Sequence, residues 1–242
     1  MPRSGRFGPL LLLVAGDPVP AVQARRGGFS TLIREAAGDL WPAAWSEVDL
    51  RTDAPLPDPA DVSAVVVTGS ASSVTERAPW ILRGEEYLRS LVRAEVPTFG
   101  ICFGHQMLGQ ALGGSVSRNP RGREIGTVPF EIVGDDPLLE GLPDPLRANA
   151  THVDTVSVLP EGARILARTA LEPHAAVRFG RAAWGVQFHP EMDADVVRGY
   201  VEARRDVLSG EGLDVDALVA SADDALAGQL TLRRFLSLIR SR

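Results

Sequence analysis

The sequence predicts an α/β protein with one mainly parallel sheet covered by helices on both faces. Short apolar runs rich in β-branched residues alternate with helical patterns in the first half of the chain, which is the rhythm of a parallel sheet. The chain has 242 residues, 45% of them apolar, enough to bury the core of one domain. Its 25 basic and 31 acidic side chains form no long basic block, which argues against nucleic acid as the main ligand.

Four apolar runs predict the parallel strands: Leu10–Val14, Trp45–Leu50, Val62–Thr68 and Thr98–Ile101. The third run is too continuously apolar to have a solvent face. Helical patterns at Phe29–Gly38 and Trp80–Ala94 lie between the strands, and the second has an apolar stripe and ends before Pro97.

After Gly114 the chain changes to shorter segments separated by Gly, Pro and Asp turns. These predict strands that continue the same sheet or form a small antiparallel one: Ile125–Val133, His152–Val158, Arg164–Arg168, Ala175–Phe179 and Ala183–Phe188. Helical patterns return after Asp193, at Val196–Leu208, Val215–Ala227 and Leu230–Ile239. We therefore expect a catalytic domain over residues 1–200 and a helical C-terminal extension over residues 201–242.

The chain contains a single cysteine, Cys102. One cysteine can form neither an internal disulfide nor a Cys₄ zinc site, which favours the reducing cytoplasm as the compartment. No apolar run approaches the ~18 residues of a membrane-spanning helix. His105 and His174 have no second ligand at metal-binding spacing, so we predict no metal site.

Cys102 has a glycine two residues away on each side, Gly100 and Gly104, between a predicted strand and a helical run. This is the pattern of a nucleophile elbow, in which a sharp turn exposes the reactive side chain and close neighbours must lack a Cβ. The N-terminus of the following helix favours the thiolate. The alternative is a small cysteine packed in the core, which is the commoner role of a lone cysteine.

A general base for such a nucleophile is suggested by His189, at the end of the last predicted strand. Residues two apart in an extended segment project to the same side, so Glu191 can hold the His189 imidazole in one tautomer. Pro190 fixes the turn between them. A His-Pro-Glu triplet alone is more often a surface turn, and its position at a strand end favours the catalytic interpretation.

The oxyanion of an acyl-transfer reaction needs preorganised donors. The backbone N–H of Phe103, which follows the nucleophile, is one candidate. The second is expected from the small-residue loop after the third strand, where Gly69 and Ser70 lie at the same sheet edge. Without the cysteine, this loop would be interpreted as an ordinary connector.

Two motifs make the sequence resemble the class I glutamine amidotransferase family. They are G-I-C-F-G-H-Q-M-L-G-Q-A-L-G-G around Cys102 and W-G-V-Q-F-H-P-E around His189, and the similarity runs from about Leu10 to Tyr200. The resemblance implies the flavodoxin-like fold of that family. It also implies Cys102 as nucleophile, His189 as general base and then acid, and Glu191 as the orienting carboxylate, with no cofactor.

The resemblance extends to residues that hold the substrate. Gln106 matches a family position that helps to hold glutamine, and the segment Thr151, His152, Val153, Asp154 resembles one whose backbone contacts the amino-acid end of the substrate. Val153 stands where the family has glycine. In the oxyanion loop, Gly69-Ser70-Ala71 replaces a common Gly-Gly-Pro, so Ser70 would supply the second N–H.

The resemblance is nearest to the stand-alone branch similar to the amidotransferase part of GMP synthase. It implies release of ammonia from glutamine, with any ammonia-accepting synthase on another chain. The alternatives are a γ-glutamyl peptidase with the same triad and a catalytically idle binding module. Four charged residues after the nucleophile helix either reach the carboxylates of a larger substrate or form a solvated loop: Arg118, Arg121, Arg123 and Glu124.

Overall fold

The computed structural model describes residues 8–240. The described residues leave out 1–7, at the start of the predicted catalytic domain, and 241–242, at the end of the predicted extension. The described strands are β1 Leu10–Val14, β2 Trp45–Asp49, β3 Ala64–Val67, β4 Thr98–Ile101, β5 Ser115–Arg118, β6 Glu124–Ile132, β7 Leu146–His152, β8 Asp154–Val158, β9 Arg164–Arg168, β10 Ala176–Gly180 and β11 Ala183–Val186. The α-helices are α1 Pro20–Arg26, α2 Phe29–Ala37, α3 Pro79–Arg93, α4 Phe103–Ala111, α5 Ala194–Glu202, α6 Arg205–Gly210, α7 Val215–Ala220 and α8 Leu226–Arg240.

A nine-stranded sheet organises the described part of the chain, in the order β2-β1-β3-β4-β11-β10-β9-β6-β7. The pairs from β2 to β11 are parallel and the remaining pairs are antiparallel. A separate two-stranded antiparallel sheet joins β5 to β8. The predicted fold class is therefore confirmed: a mainly parallel sheet, a small antiparallel region and C-terminal helices.

The sheet is buried on both faces because alternate side chains of its central strands enter two different cores. Leu10 and Leu12 of β1 pack with α2 and α8 residues on one face, whereas Leu11 and Leu13 pack with α3 and α4 residues on the other. All four leucines are fully buried. This explains why the strand sequences are continuously apolar.

Several element boundaries differ from the predicted ones. The predicted strand at His152–Val158 is divided at Val153 between β7 and β8, which belong to different sheets. The predicted helix Val196–Leu208 is interrupted at Ala203 and Arg204, where the φ of Arg204 is −117°. Helix α1 was not predicted; it begins at Pro20, a residue compatible with the first turn of a helix.

The C-terminal helix α8 contributes to the main core. Phe235 is fully buried and stacks on Phe99 of β4, with ring centroids 5.1 Å apart, and meets Trp184 of β11 edge-on at 6.0 Å. Leu232 and Leu236 belong to the same core. Within residues 8–240, no helix is long and apolar enough to cross a bilayer.

Candidate active site

The candidate active site lies at the carboxyl end of the parallel part of the sheet. Strands β1, β3, β4 and β11 all end at this edge, and β4 lies between β3 and β11. The residues after each of these strands therefore meet above the sheet, where open α/β folds bind their ligands. Cys102 follows β4 directly, and His189 follows β11 after a bend at Gln187 and Phe188.

Cys102 occupies a sharp turn between β4 and α4. Its φ is 51° and its ψ is −100°, a positive φ that is uncommon for a residue with a Cβ. A Cβ on Gly100 would lie 2.5 Å from the Gly104 carbonyl, and one on Gly104 would lie 2.5 Å from the carbonyl oxygen of Val67. Both distances are too short for real contacts. The prediction that the residues flanking Cys102 must lack a Cβ is confirmed.

The Cys102 sulfur is enclosed but still faces the cleft, with 6% of the residue exposed. The Nε2 amide of Gln187 donates to the sulfur at 3.5 Å, and the carbonyl oxygen of Thr151 lies 3.9 Å from it. The sulfur also lies at the start of α4, whose first N–H groups have no partner within the helix. A hydrogen-bond donor and a helix N-terminus therefore both lie next to the sulfur.

His189 is buried and paired with Glu191. Its Nδ1 lies 2.7 Å from Oε1 of Glu191, and its backbone N–H donates to the carbonyl oxygen of Asn149 in β7. Burial lowers the pKa of His189, but the negative charges of Glu191 and then Cys102 outweigh it and raise the pKa to about 10. The imidazole is therefore stabilised in its protonated form.

The second ring nitrogen of His189, Nε2, has no hydrogen-bond partner among residues 8–240. Because Nδ1 is occupied by Glu191, Nε2 is the nitrogen left for proton exchange with a substrate. The ring of Phe29 stacks on His189 with centroids 6.2 Å apart and an interplanar angle of 18°. The imidazole is thus held on one edge by a carboxylate and on one face by an aromatic ring.

The loop after β3 passes beside the His189 ring. A Cβ on Gly69 would lie 2.9 Å from His189 Cε1, so glycine is required for this approach. Ser70 lines the cleft and does not adopt a positive φ, so its backbone is unstrained. The Thr68 hydroxyl accepts from the Ala15 N–H at 2.9 Å and donates to the Gly69 carbonyl at 3.0 Å, which fixes the start of the loop.

A cleft of about 170 Å³ opens between these groups. Its lining combines reactive side chains, small residues and apolar residues from distant segments: Asp17, Pro18, Val19, Pro20, Phe29, Ser70, Ala71, Cys102, Thr151, His189, Tyr200 and Arg204. Four of the predicted site residues therefore share one cavity, since Cys102, His189, Ser70 and Thr151 all line it. Glu191 reaches the cavity through His189.

Gln106 and the Thr151–Asp154 segment form a hydrogen-bonded layer behind the cleft. The Gln106 amide donates to the Asp154 carbonyl at 2.9 Å and to Oε1 of Gln187 at 3.0 Å. Gln187 in turn donates to the Cys102 sulfur. Gln106 is therefore linked to the reactive sulfur through one intervening amide, while its own side chain is engaged with protein.

His152 and Asp154 are engaged in the same layer. His152 Nδ1 lies 3.0 Å from the Asp154 carbonyl oxygen, and Nε2 lies 3.1 Å from Oε2 of Glu124. The Asp154 carboxylate accepts from the Ser73 hydroxyl, and the Val153 carbonyl accepts from the backbone N–H of Asn119. These contacts hold the backbone on both sides of Thr151, the member of the segment that lines the cleft.

The charged residues after α4 do not line the cleft. Arg123 pairs bidentately with Glu211 at 2.8 and 3.0 Å, and Arg121 donates to the Ala170 carbonyl. Glu124 is buried against His152 and accepts from the Thr169 hydroxyl at 2.6 Å. His105 is also buried, and burial lowers its pKa to about 3, so it remains neutral.

Sequence reasoning missed four residues of the site. Gln187 could have been found from its place in the W-G-V-Q-F-H-P-E motif, two residues before His189. Phe29, Tyr200 and Arg204 belong to α2, α5 and the break after α5. No spacing in the sequence connects these three to Cys102, and only the folded chain brings them to the cleft.

Known proteins are similar to this chain over the region that holds the site. The sequence model of glutamine amidotransferase class-I matches residues 45–199. A glutamine-hydrolyzing GMP synthase of Aeropyrum pernix is 37% identical over 130 residues, 54% of this chain and 24% of that protein. One subunit of a glutamine-hydrolyzing GMP synthase of Thermococcus kodakarensis is 38% identical over 113 residues, 44% of this chain and 60% of that protein.

Similarity to a solved structure covers nearly the whole chain. A glutamine amidotransferase from Thermotoga maritima superimposes with a TM-score of 0.73 and 26% identity, covering 96% of this chain and 97% of that one. By contrast, the matched region spans about a quarter of the Aeropyrum enzyme. The family match includes both Cys102 and His189 and covers well over half of the chain. The chain belongs to the class I glutamine amidotransferase family.

Proposed function

We propose that the chain hydrolyses the side-chain amide of glutamine to glutamate and ammonia, with Cys102 as nucleophile. The observation that carries the proposal is one cleft containing a cysteine on a strained turn and a histidine whose Nδ1 lies 2.7 Å from a carboxylate. Nucleophile, base and orienting carboxylate are the three parts of a catalytic triad. Membership of the family supports the same assignment.

In the proposed reaction, the Cys102 thiolate attacks the amide carbon of glutamine and forms a carbon–sulfur bond. The imidazolium of His189 donates its Nε2 proton to the leaving nitrogen as the carbon–nitrogen bond breaks, which releases ammonia. Water then attacks the γ-glutamyl thioester, and His189 takes a proton from that water. Breaking the carbon–sulfur bond returns the thiolate and releases glutamate.

The oxyanion formed in each step is expected to lie between the backbone N–H groups of Phe103 and Ser70. Phe103 begins α4 and its N–H is free of intrahelical bonds. Gly69 allows the loop to approach His189 closely enough to bring Ser70 to the cleft. We propose Thr151, His152, Val153 and Asp154 as the segment that holds the amino-acid end of glutamine, with Gln106 supporting this segment through the Asp154 carbonyl.

The partner and location of the protein belong to the same proposal. Because the Thermococcus relative is named as one subunit of its GMP synthase, we propose that ammonia passes to a synthase on a separate chain. We place the reaction in the cytoplasm, where a single reduced thiol is stable. The boundary between a catalytic domain at 1–200 and a helical extension at 201–242 also remains a proposal, with α8 packed in the core of the former.

Hydrolysis of a γ-glutamyl peptide is the second candidate, supported by the apolar residues that line the cleft. Phe29, Tyr200 and the segment after β1 line the same cleft as Cys102 and His189. These residues would offer contacts to an amine larger than ammonia. The chemistry would be unchanged, because the same nucleophile and the same proton donor cleave a secondary amide instead of a primary one.

A substrate screen with Cys102→Ala as the blank tests the proposal. We expect glutamate release from glutamine by the unmodified protein and none by the variant. Cleavage of γ-glutamyl dipeptides with negligible glutamine hydrolysis would select the second candidate. No turnover of either substrate, together with no labelling of Cys102 by a glutamine-like electrophile, would indicate an idle binding module.

A further inference from the structure

Arg204 differs from the other arginines near it. It follows α5 and lines the cleft that contains Cys102 and His189. Within residues 8–240, no carboxylate lies within 4.0 Å of it, and the hydrogen bond its side chain makes there is a long one of 3.4 Å to the Tyr200 carbonyl. By contrast, Arg205 pairs with Glu202 at 2.8 Å and with Asp216 at 2.9 Å.

Packing keeps this cation in place. The guanidinium carbon of Arg204 lies 4.9 Å from the centroid of the Tyr200 ring, a cation–π contact that covers one face, and one edge nitrogen, Nη1, makes the long hydrogen bond to the Tyr200 carbonyl. Burial lowers the pKa of Arg204, although an arginine remains charged. The nearby pair of Arg123 with Glu211 ties the end of α6 to the start of β6.

We infer that Arg204 binds a carboxylate group of the substrate, through the edge donors that its guanidinium leaves unpaired. A planar fork of N–H groups matches a carboxylate geometrically, and a partly buried cation without a counter-ion is stabilised when one arrives. This inference rests on the proposed function, since it concerns a γ-glutamyl compound held for attack by Cys102. Arg204 would then be a substrate-binding residue supplied by the predicted C-terminal extension.

Two carboxylates of such compounds have the required chemistry: the α-carboxylate of the glutamyl group, and a carboxylate on the leaving amine. Three substrates distinguish them. Glutamine carries the first only, γ-glutamylglycine carries both, and γ-glutamylglycinamide has the glycine carboxylate blocked. The variants are Arg204→Gln, Arg204→Lys and the control Arg205→Gln, which removes a neighbouring cation that is paired outside the cleft.

We expect Arg204→Gln to raise KM about 10- to 100-fold, because losing hydrogen bonds to a charged group weakens binding by about that factor. We expect kcat to change less. An increase for all three substrates assigns the α-carboxylate, and an increase for γ-glutamylglycine alone assigns the leaving-group carboxylate. Arg204→Lys should raise KM less than Arg204→Gln does, because lysine keeps the positive charge but lacks the planar fork of N–H groups. Arg205→Gln should leave KM unchanged.

KM values within two-fold of the unmodified protein for every substrate would overturn the inference, and so would a fall in kcat alone. Calorimetric binding of the same compounds to Cys102→Ala and to the Cys102→Ala, Arg204→Gln double variant needs no turnover. If the unmodified protein is inactive on all three substrates, the proposed function fails, while the binding comparison still decides the role of Arg204. Thermal unfolding of each variant shows whether it is folded.

Discussion

Two buried histidines of this protein each contact a glutamate, yet only one of them is available for chemistry. His189 meets Glu191 through Nδ1 at 2.7 Å and keeps Nε2 without a partner among residues 8–240. His152 meets Glu124 through Nε2 at 3.1 Å, and its Nδ1 faces the Asp154 carbonyl oxygen at 3.0 Å. A histidine–carboxylate pair can move protons only where the second ring nitrogen is free.

The two pairs also differ in what surrounds them. His189 lines the cleft opposite Cys102, and the two negative groups raise its pKa. His152 lies in a layer of backbone and side-chain hydrogen bonds that supports Thr151. One pair is therefore built to change its protonation state, and the other to keep a segment of backbone in one place.

Replacing each of the two histidines with asparagine tests whether the two pairs differ in function. We expect His189→Asn to lower kcat/KM for glutamine by about 10⁴-fold or more, since triad members act as a unit. His152→Asn should retain far more activity and lose mainly stability, because its hydrogen bonds are structural. Steady-state kinetics and urea unfolding of both variants provide the measurement, and equal losses of activity would remove the distinction.

Glu191→Gln should change how the activity depends on pH. The pKa of His189 is raised to about 10, so the imidazolium persists through neutral pH and is lost as the pH rises through that value. Removing the charge of Glu191 lowers this pKa, so the alkaline limb of kcat/KM should move toward neutral pH. We also expect kcat to fall by about 10² to 10⁴-fold.

The control for this pH profile is Glu124→Gln, which removes the carboxylate of the other pair. Its alkaline limb should coincide with that of the unmodified protein. If the alkaline limb of kcat/KM moved equally in both variants, its position would depend on buried negative charge in general and not on the protonation of His189.

Gly69→Ala tests how closely the structure confines His189. The added Cβ would lie 2.9 Å from His189 Cε1, so either the ring or the loop must move. A displacement of this size should lower kcat by about 10- to 100-fold. Gly210→Ala is the matched control because its added Cβ would meet nothing within 4 Å. If Gly69→Ala were as active as this control, the His189 ring would have room for the added Cβ.

Glu124→Gln should have the smallest effect on turnover and a clear effect on stability. The carboxylate accepts from the Thr169 hydroxyl at 2.6 Å and pairs with His152. Losing a buried charged acceptor should reduce the free energy of unfolding by about 1–3 kcal/mol, with kcat within a few-fold. Urea denaturation at neutral pH measures the first quantity, and a loss of activity like that of Glu191→Gln would contradict the structural role.

The sequence predicted the part of the site that depends on adjacent residues. The elbow around Cys102 and the spacing of His189 and Glu191 are short-range patterns, and the parallel strands place them at one edge. The outer wall of the cleft could not be predicted, because Phe29, Tyr200 and Arg204 meet the triad only through helix packing. Strand β7 was missed because Leu146–His152 mixes polar and apolar residues and contains one β-branched residue, Thr151.

The second half of the sheet shows the same limit. The strands from β6 to β10 were recognised as strands, apart from β7, but their antiparallel order depends on contacts between residues far apart in sequence. The break after α5 at Arg204 has no Gly or Pro to mark it. Local patterns thus identified most elements, whereas pairing order and helix breaks required the folded chain.

The positive φ of Cys102 implies that one position sets stability against activity. A left-handed backbone at a residue with a Cβ costs about 1–3 kcal/mol, and glycine avoids that cost. Cys102→Gly should therefore be inactive and yet harder to unfold than the unmodified protein. Under the proposed function, the chemistry of the thiol accounts for a cysteine at a position where glycine would make the chain more stable.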